Sequence, residues 1–274
     1  MILAGSVRPL SARSVQRSGA AGCCSVYSGV RWSWGERAMH VGLITGLGPA
    51  ATVVYYQRLN QIAADRGCRL ELTMVEANIR EVLANNLAGR AQEQAEIFAA
   101  LLHRLRAAGA DFASITAIGP LFCWEETRAL SPLPLLSAVT PLDLYCAGKG
   151  YSQVGLLGTA RAMRTKLFGQ MTRTGVLLPE NLEPVGKAYQ DMAVGGRCDE
   201  ATRKLLFDAG RKMMEQGAEA VALAGTDLLL AFDGRDPGFP VIDALEVHVA
   251  MLADLATGRI SLADIRQETG AGIF

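Results

Sequence analysis

The sequence predicts an α/β fold of two similar domains, each a mainly parallel sheet flanked by helices, with the functional site in the cleft between them. Three observations carry that expectation. Val41-Gly42-Leu43-Ile44-Thr45-Gly46 is echoed by Val154-Gly155-Leu156-Leu157-Gly158-Thr159, and Gly109-Ala110-Asp111 with the apolar run to Thr116 is echoed by Gly217-Ala218-Glu219 with the run to Gly225. Repetition at one long interval argues for two half-chains facing each other across a cleft, not for a many-copy solenoid. Short apolar strands alternate with helical stretches, the pattern of parallel sheets covered on both faces. Ligands of such sheets bind at the carboxyl ends of the strands, which puts the site just past Thr116 and Gly225.

In chain order, residues 41–44 read as a strand, and Gly46-Leu47-Gly48-Pro49 as a turn into a helix over about 51–66. Glycines there let the backbone approach a ligand, and the helix start offers unpaired N–H groups to an anion. Residues 70–75 are the next strand, and 91–108 a helix with Ile97, Ala100, Leu101 and Leu105 at helical spacing. The glycine after it, Gly109, stands where a helix C-cap belongs. The strand 112–115 leads into the turn Thr116-Ala117-Ile118-Gly119-Pro120 and a helix near 122–129, and a short strand at Leu135-Leu136 follows two prolines. The second half restarts at Tyr151 with a strand, the Gly158-Thr159 turn, a helix over about 161–174 and a strand at 175–178. Helices near 184–194 and 199–216, a strand at 220–224 and the turn Gly225-Thr226-Asp227 come next. Val241-Ile242 is strand-like, a helix carrying His248 follows, and a last helix lies near 261–268.

Composition narrows the function. With 27 basic and 27 acidic residues interspersed, nothing resembles a nucleic-acid footprint or a polybasic membrane patch. Every apolar run is interrupted short of the roughly 20 residues a membrane helix needs. The cysteines at 23, 24, 68, 123, 146 and 198 form no CxxC pair and have no histidine at zinc spacing, so reduced thiols in a cytoplasmic protein, and no metal site, are expected. Residues 1–38 stand apart: Arg8, Arg13, Arg17, Arg31 and Arg37 are set among Ser, Gly and Ala, with Glu36 the one acid. This is either a mitochondrial-type presequence or an over-extended reading frame ahead of a true start at Met39, and it is expected to be poorly ordered. The domain expectation is an extension over 1–38, a first α/β domain over 39–140 plus 246–274, and a second over 141–245.

Together with Tyr55 and Tyr56, the segment Gly42-Leu43-Ile44-Thr45-Gly46-Leu47-Gly48-Pro49-Ala50-Ala51-Thr52 resembles the opening motif of the aspartate/glutamate racemase family. Ala107-Ala108-Gly109-Ala110-Asp111, the 154–159 turn with Met163, the 217–227 run, and Pro240-Val241-Ile242-Asp243 with His248 match in the same order, over roughly residues 40–255. The resemblance implies a cofactor-free enzyme of two α/β domains related by a pseudo-twofold. In that family two cysteines face each other across the cleft, one taking the Cα proton of an amino acid and the other delivering a proton to the opposite face. The first family cysteine falls here on Thr116, flanked by Ala117 and Ile118 instead of a polar pair. The second falls on Gly225, with Thr226 and Asp227 keeping the rest of its motif. A threonine hydroxyl is a far weaker acid than a thiol, whose pKa is about 8.5, and glycine has no proton to exchange.

The candidate acid–base residues are therefore Thr116, Asp227, His248 and Cys123. Each has a structural alternative: Asp227 as a loop or cap residue, His248 as a buried hydrogen-bonder, Cys123 as a small core hydrophobe. Gly46, Gly48, Thr52, Gly158, Thr159, Gly225 and Thr226 are the candidate substrate-binding residues, although the threonines could equally cap helices. Arg80 either pairs with a substrate carboxylate or is solvated. The reading is an isomerase acting on a small amino or dicarboxylic acid by cofactor-independent Cα proton transfer with non-cysteine groups, in a homodimer. The alternatives are a carboxylate-binding protein that has lost turnover, and another carbanion chemistry on the same scaffold. The number of ionisable groups facing the cleft discriminates them: two favour racemisation, one a one-base reaction, none binding.

Overall fold

A computed structural model describes residues 39–269, so the expected extension over 1–38 lies outside the described residues. The first half contains β1 (Val41–Thr45), α1 (Pro49–Asp65), β2 (Leu72–Glu76), α2 (Ile79–Leu87), α3 (Ala91–Ala107) and β3 (Phe112–Ile115). A 3-10 turn at Gly119–Cys123 then leads to α4 (Trp124–Leu130), β4 (Leu135–Leu136) and α5 (Val139–Gly148). The second half runs β5 (Gln153–Leu157), α6 (Ala160–Arg164), β6 (Gly175–Leu177), α7 (Leu182–Gly195), α8 (Glu200–Glu215) and β7 (Val221–Leu223). After a 3-10 turn at Thr226–Leu228 come α9 (Leu229–Phe232), β8 (Val241–Asp243), α10 (Ala244–Ala256) and α11 (Leu262–Thr269).

Two four-stranded parallel sheets result, ordered β2-β1-β3-β4 and β6-β5-β7-β8, the same arrangement twice. In the first, Val41 stands opposite Leu72 on one side and Phe112 on the other. In the second, Gly155 is level with Leu177 and Val221. Strand β1 is apolar on both faces because both are covered. Val41 and Leu43 pack with Tyr55 and Leu59 of α1 and with Leu245, Val249 and Leu252 of α10, while Ile44 joins Phe98, Leu102 and Leu105 of α3. Burying each such side chain stabilises the fold by roughly 1.5–3 kcal/mol. The cluster containing Ile44 continues through Leu142, Val154 and Leu156 to Val221, so one apolar core runs beneath both sheets.

Helix α10 is buried almost all round, the behaviour of a helix packed on several sides, and it lies against α1 and α5. The boundary expected at 140/141 falls inside α5. No helix among the described residues is long and apolar enough to cross a membrane.

Three expectations are corrected. The helix expected over 161–174 ends at Arg164, because Lys166, Leu167 and Phe168 take φ values of 50, 55 and 58° and turn the chain. Thr165 Oγ1 accepts the Phe168 N–H at 3.0 Å, and Leu167 turns wholly into the core. Helices α2 and α5 are additions. Asn78 caps α2 by accepting the Arg80 N–H at 3.0 Å, and Pro141 sits in the first turn of α5, where its missing N–H breaks no helical bond.

Candidate active site in the cleft between the two halves

The carboxyl ends of β1 and β3 face those of β5 and β7 across a cavity of about 580 Å³. Leu47, Ile79, Val82 and Ile118 line it from the first half, and Thr159, Arg161, Tyr189, Thr226 and Asp227 from the second. A larger groove of about 1020 Å³ runs between α1 and β8, but none of the candidate residues lines it. The cleft is therefore the candidate site.

Asp227 forms its floor. The carboxylate is 3 % exposed and accepts the Ala51 N–H, reaching from the second half to the start of α1 in the first. Gly48 makes this approach possible: a Cβ there would lie 2.6 Å from Asp227 Oδ1. A carboxylate at a helix N-terminus meets unpaired N–H groups and the positive end of the helix dipole. Even so, burial outweighs that bond and pushes the Asp227 carboxyl up to about 6, and Oδ1 has no hydrogen-bond partner. A buried carboxylate titrating near neutrality and facing a cavity has the properties of a general base.

Gly225 is explained by Tyr189. A side chain at 225 would run into the Tyr189 ring, whose nearest carbons include Cε1 at 2.8 Å from the ideal Cβ. Tyr189 is 6 % exposed, and its hydroxyl accepts the Asp227 backbone N–H. Burial first, and the Asp227 carboxylate second, push this phenol upward, so it stays protonated. Where the family resemblance places a second thiol, the cleft carries a phenol. Restoring Cys at 225 overpacks the site. We expect Gly225→Cys to cost about 1–3 kcal/mol in the native chain and much less when added to Tyr189→Ala, where the ring it meets is gone; denaturant titration of the two single variants and the double variant measures this coupling.

Three of the four acid–base candidates are buried and held in structural hydrogen bonds. Thr116 is 2 % exposed and donates its hydroxyl to Ile44 O at 3.0 Å, so its proton is committed to the strand end. Cys123 is fully buried at the end of a 3-10 turn, donates to Pro120 O, accepts from Thr127, and has its thiol pushed to about 11 by burial. It does not line the cleft. His248 takes its structural alternative and is also fully buried, because the helix that carries it is wrapped on several sides. Its Nδ1 lies 2.7 Å from Tyr55 Oη and its Nε2 2.9 Å from Ser114 Oγ. Ser114 donates to Leu136 O at 2.7 Å. Oγ therefore accepts from Nε2–H, and Tyr55 donates to Nδ1, an assignment fixed by the network. Burial lowers His248 to about 3, so the ring is neutral.

The binding candidates divide. Thr226 lines the cleft, as does Thr159, whose hydroxyl also caps α6 by accepting the Ala162 N–H at 3.3 Å. Thr52 staples the first turn, accepting from Gly46 N–H at 3.3 Å and donating to Gly48 O at 3.0 Å. Gly46 has φ +80° and lies against Ala77 O, where a Cβ would be 2.6 Å away. Gly158 packs against Ala224 O, 2.7 Å from where its Cβ would stand. Sequence reasoning missed Tyr189, since nothing in α7 announces which glycine its ring will cover. Arg161 was also missed. It donates to Asn86 of α2 and lies 5.2 Å above the Phe122 ring, tying the second half to the first at the mouth of the cleft.

Two α/β halves, each with a four-stranded parallel sheet, define a fold that relatives share. Residues 44–252 match the sequence model of the Asp/Glu/Hydantoin racemase family, and the chain belongs to that family. Its fold is similar to that of a candidate Asp/Glu racemase from Yersinia pestis (23 % identity, TM-score 0.69, covering 80 % of this chain and 99 % of that one). It is also similar to that of an aspartate racemase homologue from Pyrococcus horikoshii OT3 (23 %, 0.64, 80 % and 99 %). Picrophilus torridus aspartate racemase is a third such fold (18 %, 0.62, 82 % and 97 %).

Proposed function

We propose that the chain is an isomerase acting on a small amino or dicarboxylic acid by cofactor-independent proton transfer at Cα, with Asp227 as the base. The supporting observation is the Asp227 carboxyl itself: buried, raised to about 6, and on the cleft floor with one oxygen unpartnered. A Cα–H beside a carboxylate is a very weak acid, so the reaction needs a base within hydrogen-bond reach and donors around the developing charge. Tyr189 supplies a protonated hydroxyl next to that base. One carboxylate on the floor, with no thiol lining the cleft among the described residues, favours a one-base reaction over two-thiol racemisation.

The test is hydrogen exchange in D2O. The chain is incubated with both enantiomers of aspartate, glutamate, leucine and phenylalanine, and the Cα–H signal is followed by NMR. Solvent deuterium entering any one of them at a rate proportional to protein supports the isomerase reading. Binding without exchange supports the second reading, a carboxylate-binding protein, which the lack of a cleft thiol among the described residues favours.

A further inference from the structure

We infer that the cleft takes a monocarboxylic acid with an apolar side arm, amino acids of that kind included, and discriminates against dicarboxylates such as aspartate. This rests on the cleft being the functional site and names the class of ligand it accepts.

The first argument is charge. A dicarboxylate brings two anions and needs two places to put them. The start of α1 is a ready-made anion site, and the protein's own Asp227 already fills it, accepting the Ala51 N–H. A ligand carboxylate placed there would stand beside a second carboxylate, an arrangement that disfavours ionisation of both. The remaining cations of the lining are largely committed. Arg164 pairs with Glu183, Lys187 with Asp191 at 2.6 Å, and Arg161 with Asn86. Arg161 keeps its charge but is held by the neutral Asn86 and over the Phe122 ring, whereas the Arg80 side chain makes neither a hydrogen bond nor an ion pair among the described residues. Arg80 is thus the lining cation whose guanidinium donors are all open to a ligand carboxylate.

The second argument is the wall. Ile79, Val82, Leu83 and Ile118 face the cavity from the first half, and Leu87 and Val194 flank its mouth at 83 % and 64 % exposure. Ala117 and Ile118 stand where the family resemblance calls for a polar pair. A second carboxylate against this wall would be stripped of water without donors in exchange, which is costly, whereas an alkyl or aryl arm gains by the same contact. At about 580 Å³ the cavity is within the usual 300–1,000 Å³ of small-molecule sites and has room for such an arm.

The experiment is calorimetric titration of the full chain with phenylacetate, isocaproate and leucine against succinate and aspartate. The apolar monoacids are expected to bind at least ten times more tightly than the dicarboxylates. Arg80→Gln, an exposed helix-surface change, should weaken the monoacids about tenfold by removing a charge-assisted contact. Asp227→Ala should vacate the α1 start and bring succinate within about tenfold of the monoacids, with circular dichroism confirming the fold of both variants. Succinate or aspartate binding the unaltered chain as tightly as the monoacids overturns the inference, as does failure of every monoacid to bind. Exchange at Cα is read separately. Tight monoacid binding without exchange overturns the isomerase reading and leaves the ligand class standing, while exchange on aspartate without monoacid binding does the reverse.

Discussion

Replacing Asp227 by Asn is expected to stop Cα–H exchange while making the protein more stable. The two effects share one cause. Burial raises the folded-state carboxyl from 3.8 to about 6, so the folded protein holds a proton on Asp227 between those values and the unfolded chain does not. The stability this contributes is present in full below 3.8 and is lost as pH rises through 6, leaving the ionised group a net cost at neutral pH. Asn keeps an acceptor for the Ala51 N–H and carries no charge, so at pH 8 it should gain about 1–3 kcal/mol, at 1.36 kcal/mol per pK unit. That gain should shrink toward zero as pH falls to 4. Exchange should drop by about 10²–10⁴, the usual worth of a general base. In the unaltered protein kcat/KM should climb with pH up to about 6 and then level off as Asp227 ionises. Denaturant melts at several pH values, run beside exchange kinetics, test the whole set. An Asn variant that keeps its exchange rate removes Asp227 from the chemistry, and one that loses stability at pH 8 shows the carboxylate to be a net structural tie.

His248→Ala is expected to do the opposite, damaging the fold first. Deleting the ring empties a fully buried site and strands the Tyr55 hydroxyl, which has only the imidazole as acceptor among the hydrogen bonds seen here. Large-to-small core changes of aromatic size cost about 3–5 kcal/mol, and an orphaned buried hydroxyl adds about 1–3 kcal/mol. The wild-type ring also sets an acid limit. Its folded value of about 3 lies below the ordinary 6.5, so between those values the unfolded chain binds the extra proton. Stability is then fully present above 6.5 and falls as the solution is acidified toward 3, opposite in sign to Asp227. Equilibrium unfolding of His248→Ala together with its kcat decides the matter. A catalytic His248 would show intact stability and lost turnover, while a structural one shows a large stability loss with per-molecule turnover retained in whatever remains folded.

What could be read in advance follows from how local each signal is. Apolar runs such as 112–115, buried on both faces, and the Gly109 helix stop are set by neighbouring residues, and both stand in the structure as expected. The end of α6 was not legible, because three ordinary residues, Lys166, Leu167 and Phe168, adopt left-handed backbone that only the pull of the core on Leu167 accounts for. Helix α5 was hidden by Pro141, normally a breaker. At the site, the motif ending in Asp227 pointed to a carboxylate that the fold brings to the cleft floor. Its partner, the Ala51 N–H, comes from the opposite end of the chain, and the ring filling the space at Gly225 comes from another helix, so neither leaves a sequence pattern. His248 was placed on the correct helix, but its direction depends on helical phase against α1 and α5.

The placing of the cysteines bears on how the protein meets oxidants and alkylating reagents. Enzymes that work through a thiolate are silenced by peroxide or iodoacetamide, because the low-pKa sulfur that does the chemistry is also the one that reacts. Here Cys123 and Cys146 are buried and held at about 11 and 12, and neither lines the cleft, while the exposed Cys68 lies beyond the end of α1. A carboxylate–phenol floor has nothing for such reagents to modify. With Asp227 as the proposed base, peroxide and iodoacetamide are expected to leave the cleft chemistry intact, where a two-thiol cleft would lose it.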